Sequence, residues 1–159
     1  MTSISRKIVW ALGILLFVGF LIAGVYFFRK ESYQLNKNVR LVWMRVLTYR
    51  ELSLHRGCAY RIQFNKGEYQ VSVLHHGPEE KWQDYLTFPY VDDIEVATPG
   101  FTVVFDRGNL VSYYIGEKTE KLRPSLILYF FHHKNPACRR GIQFMQTGRW
   151  KALWGNGAG

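Results

Sequence analysis

IVWALGILLFVGFLIAGVYFF, residues Ile8 to Phe28, is a run of 21 residues without a charge, and its reading decides the architecture. A helix rises about 1.5 Å per residue, so this length crosses a hydrocarbon core of about 30 Å. A cleaved secretory signal would carry a shorter apolar region, about 7–15 residues, followed by a small-x-small site. Here the run closes on Tyr26, Phe27 and Phe28, then Arg29 and Lys30. Bulky aromatics and a basic stop belong to a membrane interface, so Trp10, Tyr26, Arg29 and Lys30 are the expected interface anchors of a retained span. Gly19 and Ala23 give one small-x-x-x-small spacing, the pattern that lets a second helix approach closely. The run holds no His, Asp, Glu, Lys or Arg. It offers no proton relay, ion path or histidine ligand, and no cofactor is expected.

Downstream, residues 29–56 continue as an amphipathic helix. Leu35, Val39, Val42, Val46 and Tyr49 recur at three- and four-residue spacing, and Trp43, Leu47 and Leu54 widen the stripe. Gly57 is placed to cap the C-terminus. From Cys58 the period changes to two. Residues 59–64 alternate, 65–68 supply a turn, and 69–74 return, which predicts a hairpin. Residues 77–90, punctuated by Gly77, Pro78 and Pro89, read as a loop. Further strands are expected at 93–97, 101–105, 110–115 and 126–131, the last a central strand. A final hairpin joins 141–145 to 149–153 through Thr147 and Gly148. The glycine-rich 155–159 should fray. The predicted class is therefore α+β and membrane-anchored: a tail at 1–7, a span at 8–28, an amphipathic helix at 29–56 and an antiparallel β domain at 57–154, with the long helix packed on one sheet.

Composition supports a folded domain after the span. The chain carries 11 Phe, 10 Tyr and 5 Trp in 159 residues, too aromatic for a disordered tail. Its net charge is +9, of which Arg6 and Lys7 supply two. The remaining Lys and Arg are scattered, without a nucleic-acid-binding motif, so anionic lipid headgroups explain the excess better than nucleic acid. Two cysteines, Cys58 and Cys138, exclude a disulfide-dense scaffold and a four-cysteine zinc site. They can form one disulfide or stay as two buried thiols.

No catalytic constellation emerges, and the chain is not expected to be an enzyme. The histidines are His55 and the adjacent pairs His75-His76 and His132-His133; the pairs read as exposed groups at strand ends, without ligand spacing beside them. Asp92, Asp93 and Glu95 are the densest carboxylates. Asp93 and Glu95 share a face, a conceivable weak cation site, but a solvated edge is the simpler reading. Serines occur in no G-x-S-x-G context, and no phosphate loop is present. Cys58 would need a base to act as a nucleophile, and His55 is near in sequence with nothing to orient it.

The segment YRELSLHRGCAYRIQF, residues Tyr49 to Phe64, resembles the R-x-x-A-x-x-x-G and Y-R-I-x-F patterns of the GspH/FimT-type minor pseudopilins, with Ser53 at the alanine position. Gly67 and the returning strand 69–73 fit the same plan. Phe101 to Gly108 resembles the family's F-x-F-x-x-x-G hairpin, and Gly148-Arg149 its closing strand; the similarity covers residues 35–153. It implies a pilin-like fold, a place in the inner (cytoplasmic) membrane with the C-terminal domain periplasmic, and a partner that is a pilus or secretion assembly. The basic flank of the span, Arg29, Lys30, Lys37, Arg40 and Arg45, would by charge alone place the domain in the cytoplasm. Pilin-like chains carry G-F-T-L-x-E ahead of the apolar helix, whereas this chain has SISRK at residues 3–7 and no acid in residues 1–30. The expected role is therefore a fixed subunit packed by its helix against a larger membrane complex, with a filament-priming or filament-capping minor pseudopilin as the alternative.

Overall fold

The computed structural model describes residues 3–78, 80–91, 93–116, 125–145, 147 and 149–153. The expected tail at 155–159 and the turn residue Gly148 lie outside these. The chain divides into two compact units, residues 1–33 and 34–159.

The first unit holds the N-terminal part of α1, a helix of 54 residues from Ser3 to Arg56. It starts five residues before the apolar run. Its most apolar stretch has a mean hydropathy of 2.5, and none of that stretch is buried within the chain. By length and composition, α1 is able to cross a membrane.

The second unit begins at Gln34 with the rest of α1. Leu35, Val39, Val42, Val46 and Tyr49 are all buried, in the four-three spacing read from sequence, and Ser53 extends the stripe by one more step. Each buried aliphatic side chain contributes about 1.5–3 kcal/mol, enough to hold an amphipathic helix that propensity alone leaves marginal. Trp43 packs partly buried against this core, and Leu47 is half-buried. Leu54 is 54% exposed, so it does not widen the buried stripe; it lies over the turn at Gly108 instead. Gly57, at φ 61°, ends the helix as expected.

Nine strands follow among the described residues: β1 (Ala59–Phe64), β2 (Glu68–Leu74), β3 (Trp82–Pro89), β4 (Ile94–Val96), β5 (Phe101–Asp106), β6 (Asn109–Ile115), β7 (Ser125–His132), β8 (Asn135–Met145) and β9 (Trp150–Leu153). They form two antiparallel sheets, ordered β3-β2-β1-β5-β6 and β4-β7-β8-β9. The single sheet expected from sequence is thus corrected to two. Alternation marks which face of a strand turns inward but not which strand lies beside it. Here the short β4 leaves the first sheet to pair with β7. The core lies between the sheets. Phe64 meets Phe130, Phe101 meets Phe144 and Phe105 meets Trp150, with ring centres 5.6–6.4 Å apart. Trp43 of α1 reaches Trp150 at 4.9 Å, and Tyr49 reaches Tyr60 at 5.4 Å.

The β1–β2 hairpin closes as predicted, with Phe64 opposite Tyr69, and β7 is interior to its sheet. The expected loop at 77–90 is corrected: residues 82–89 form the edge strand β3. Most of its side chains are exposed, so no inward alternation signals it. Both edges of the larger sheet carry an extra residue in the outer strand. Tyr85 lacks a partner between Asp84 and Leu86, and Val111 between Leu110 and Ser112. Such bulges twist an edge away from further pairing.

The β5–β6 turn is clamped to the end of α1. Arg107 and Gly108 both have positive φ, 48° and 75°, the signature of a two-residue type I′ turn. Arg50 Nε donates to the Gly108 carbonyl at 2.8 Å, and the Gly108 amide donates to Ser53 Oγ at 2.9 Å. Ser53 in turn donates to the Arg50 carbonyl at 2.7 Å. Ser53 is fully buried, so Ser53→Ala strands a buried amide. We expect a loss of about 1–3 kcal/mol, read as a lower urea midpoint for the purified full chain in detergent, with an unchanged m-value.

Arg45 is held between rings, its guanidinium 3.7 Å from the Phe88 ring centre and bonded to the Tyr69 hydroxyl at 2.9 Å. Burial pushes the Tyr69 phenol up to about 12, with Arg45 pulling the other way. A folded-state value above the unfolded one means that the stabilisation is complete below about pH 10 and is lost as pH climbs towards 12. A spectroscopic titration of tyrosinate should show this phenol ionising well after the exposed tyrosines, in step with alkaline unfolding, and Tyr69→Phe should lower the amplitude of that late step.

Candidate functional site

In the first unit the predicted contact residues lie open along α1. Trp10 and Tyr26 are 73% and 66% exposed; Ala23, Arg29 and Lys30 are exposed as well. A Cβ added at Gly19 would meet nothing within 4 Å, so the Gly19–Ala23 step is an uncovered notch. Sequence reading missed a second notch, a groove of about 420 Å³ at Gly13 walled by Val9, Trp10, Ile14 and Phe17. The missing glycine side chain between large neighbours was the available signal. This surface is chemically inert and suited to apolar packing.

In the second unit a cleft of about 450 Å³ is lined by Lys66, Gly67, Tyr90, Val91, Asp93, Ile94, Glu95 and His133. Three connections and one strand build it. The β1–β2 turn supplies Lys66. The crossing from β3 to β4 supplies Tyr90, Val91 and Asp93, with Asp93 at φ 61°. Strand β4 supplies Glu95, and the β7–β8 turn supplies His133. The Asp93 carbonyl accepts from the His133 amide at 2.7 Å, fixing the two connections together. Glu95 lies 3.2 Å from His133 Nδ1 and 3.7 Å from Lys66 Nζ. Asp93 lies 3.1 Å from Lys134 Nζ, and that hydrogen bond holds its carboxyl below the usual carboxylate range. Asp93 and Glu95, which sequence reading placed on one face, thus each engage cations of this chain. Asp92 lies outside the described residues. Beneath the cleft Tyr90 is buried, its ring stacked on Tyr69 at 5.6 Å. Burial pushes its phenol pKa up, and its hydroxyl has no partner among the described residues. Asn38 of α1 accepts the Val91 amide at 3.1 Å. The paired charges suit the cleft to polar recognition.

The histidines differ from their sequence reading in part. His132 is buried and bonds Gln34 Oε1 at 3.1 Å, because the short turn after β7 folds it back onto α1. His55, His75, His76 and His133 are exposed. His76 lies between Glu80 at 3.3 Å and Asp106 at 3.4 Å, and these hydrogen bonds, Glu80 first, raise its pKa. Cys58 and Cys138 are free and buried. Cys58 precedes β1 of one sheet, and Cys138 sits on β8 of the other. The imidazole nearest Cys58 is not His55 but His75, whose Nδ1 lies 3.2 Å from Sγ, brought there by the β1–β2 pairing. His55 lies beside Glu51 at 4.0 Å. Among the described residues, no three His, Cys, Asp or Glu side chains converge on a metal-sized point.

Comparisons with protein-family models, with curated proteins and with solved structures found no match.

Proposed function

We propose that the chain is a non-catalytic, single-pass membrane subunit. Its apolar helix packs against a larger membrane complex, and its β domain, pilin-like in plan, serves as an extracytoplasmic interaction module at the cytoplasmic membrane. One observation carries this reading. The apolar stripe of α1 from Leu35 to Tyr49 is buried within its own domain, whereas Val9 to Phe27 is also apolar and, among the described residues, none covers it. An uncovered, charge-free helix of this length is costly in water and stable in lipid. The notches at Gly13 and Gly19 suit a neighbouring helix.

The second reading, a minor pseudopilin that primes or caps a filament, draws support from a long helix packed on antiparallel sheets and from the Tyr49–Phe64 stretch. The fixed-subunit reading is favoured because Ile8–Phe28 holds no glutamate, the residue with which pilin-like helices pair to a neighbour's N-terminus during assembly. Incubating the membrane-embedded full chain with prepilin peptidase separates the two. An unchanged mass is expected; a cleaved product would sink the fixed subunit in favour of the pseudopilin.

A further inference from the structure

The second unit begins at Gln34, and three hydrogen bonds grip its first turns of helix. His132 bonds Gln34 at 3.1 Å, Arg140 Nε donates to Asn36 Oδ1 at 2.9 Å, and the Val91 amide donates to Asn38 Oδ1 at 3.1 Å. They bring the β7–β8 turn, the first half of β8 and the Tyr90–Ile94 crossing to the end of the domain where the chain enters it. Arg140 is buried and structural. Around it stand exposed cations: Lys37 and Arg40 on α1, His133 and Lys134 in the turn, and Arg139 on β8. Lys134 is offset by Asp93 at 3.1 Å; His133 and Lys66 share Glu95 at 3.2 and 3.7 Å. Among the described residues, Lys37, Arg40 and Arg139 form no ion pair. Arg139 only donates to the Pro136 carbonyl at 3.1 Å.

We propose that this end of the domain is a basic rim that docks on anionic phospholipid headgroups, with Lys134 and Arg139 in contact. The proposal rests on the single-span reading and goes beyond the helix flank, because its contacts lie in the β7–β8 turn and on β8, about a hundred residues away in sequence. Two arguments commit it to lipid. The first is reach. Residues 28–33 separate the last described apolar side chain, Phe27, from Gln34, and as helix that tether is about 10 Å long. This is about one Debye length at physiological salt, so whatever the tilt of the domain, its entry end stays where the headgroup potential is felt. The second is charge. Lys37, Arg40 and Arg139 form no ion pair among the described residues, and Lys134 meets only Asp93 in a solvent-exposed pair, which is weak enough to yield to an anionic leaflet whose attraction gains with each cation.

The test uses the full chain in vesicles of phosphatidylcholine alone and of phosphatidylcholine with phosphatidylglycerol. Flotation with the neutral vesicles first reports the anchor. Amide hydrogen exchange of the peptide covering 131–139 then reports the rim. Exchange is expected to slow roughly tenfold in the anionic vesicles, and to return to the neutral-vesicle rate in high salt and in the Lys134→Glu, Arg139→Glu double variant. The milder Lys134→Gln, Arg139→Gln pair should give an intermediate rate and guards against a misfolded first variant. A chain that floats but exchanges equally in both vesicle types overturns the rim and leaves the span standing. A chain that fails to float with neutral vesicles overturns the span and the rim with it.

Discussion

Arginine at both Leu16 and Phe20 should release the chain from the membrane. These side chains are 70% and 82% exposed on the apolar part of α1 and lie near the middle of the Ile8–Phe28 run. A centrally placed Arg costs about 2.5–3.5 kcal/mol on insertion, so the pair costs about 5–7 kcal/mol. That cost already allows for snorkelling and local thinning of the bilayer. Neither residue belongs to the second unit, whose core is its own. Fractionation should therefore find the variant in the soluble or aggregated pool, and its β domain should keep the wild-type protease-resistant fragment. Leu16→Ala with Phe20→Ala should stay in the membrane. If the double-arginine variant remained membrane-bound through washing at alkaline pH, the span would not be what holds the chain there.

Phe130→Ala should cost the domain about 3–5 kcal/mol, the range for deleting a fully buried aromatic ring. Phe130 is fully buried on β7 and meets Phe64 of the other sheet at 6.4 Å and Tyr90 at 5.6 Å, both edge-on. Losing it opens a cavity where the two sheets and the cleft floor meet. Against a total stability of about 5–15 kcal/mol, the variant should be partly unfolded at physiological temperature. A large fall in the denaturation midpoint measures this, together with faster proteolysis within the β domain. Phe130→Leu should lose far less, because it keeps most of the volume.

The parts of this molecule that were readable in sequence are those set by local periodicity. The stripe from Leu35 to Tyr49, the capping Gly57 and the 59–74 hairpin each follow from one element's own pattern. Strand β3 was not readable. Its side chains face solvent, so WQDYLTFP carries no alternation, and it exists because β2 offers an open edge. The division into two sheets was hidden for a related reason, since partner choice is a tertiary property. The charged cleft draws Lys66, Asp93, Glu95 and His133 from three regions of the chain, and only the Asp93–Glu95 part was adjacent in sequence. Ser53 shows the limit most plainly. In sequence it is a small residue in an alanine position; in the fold its hydroxyl accepts the amide of a turn 55 residues away.

Protease added to sealed membrane vesicles with the cytoplasmic face outward tests the central claim most directly, through the mass of the fragment that stays with the membrane. A single span with an extracytoplasmic domain predicts that nearly the whole chain survives, trimmed only ahead of Ile8. A surviving fragment no longer than the apolar helix would place the domain on the cytoplasmic side, and loss of the entire chain would show that Ile8 to Phe28 does not span the membrane.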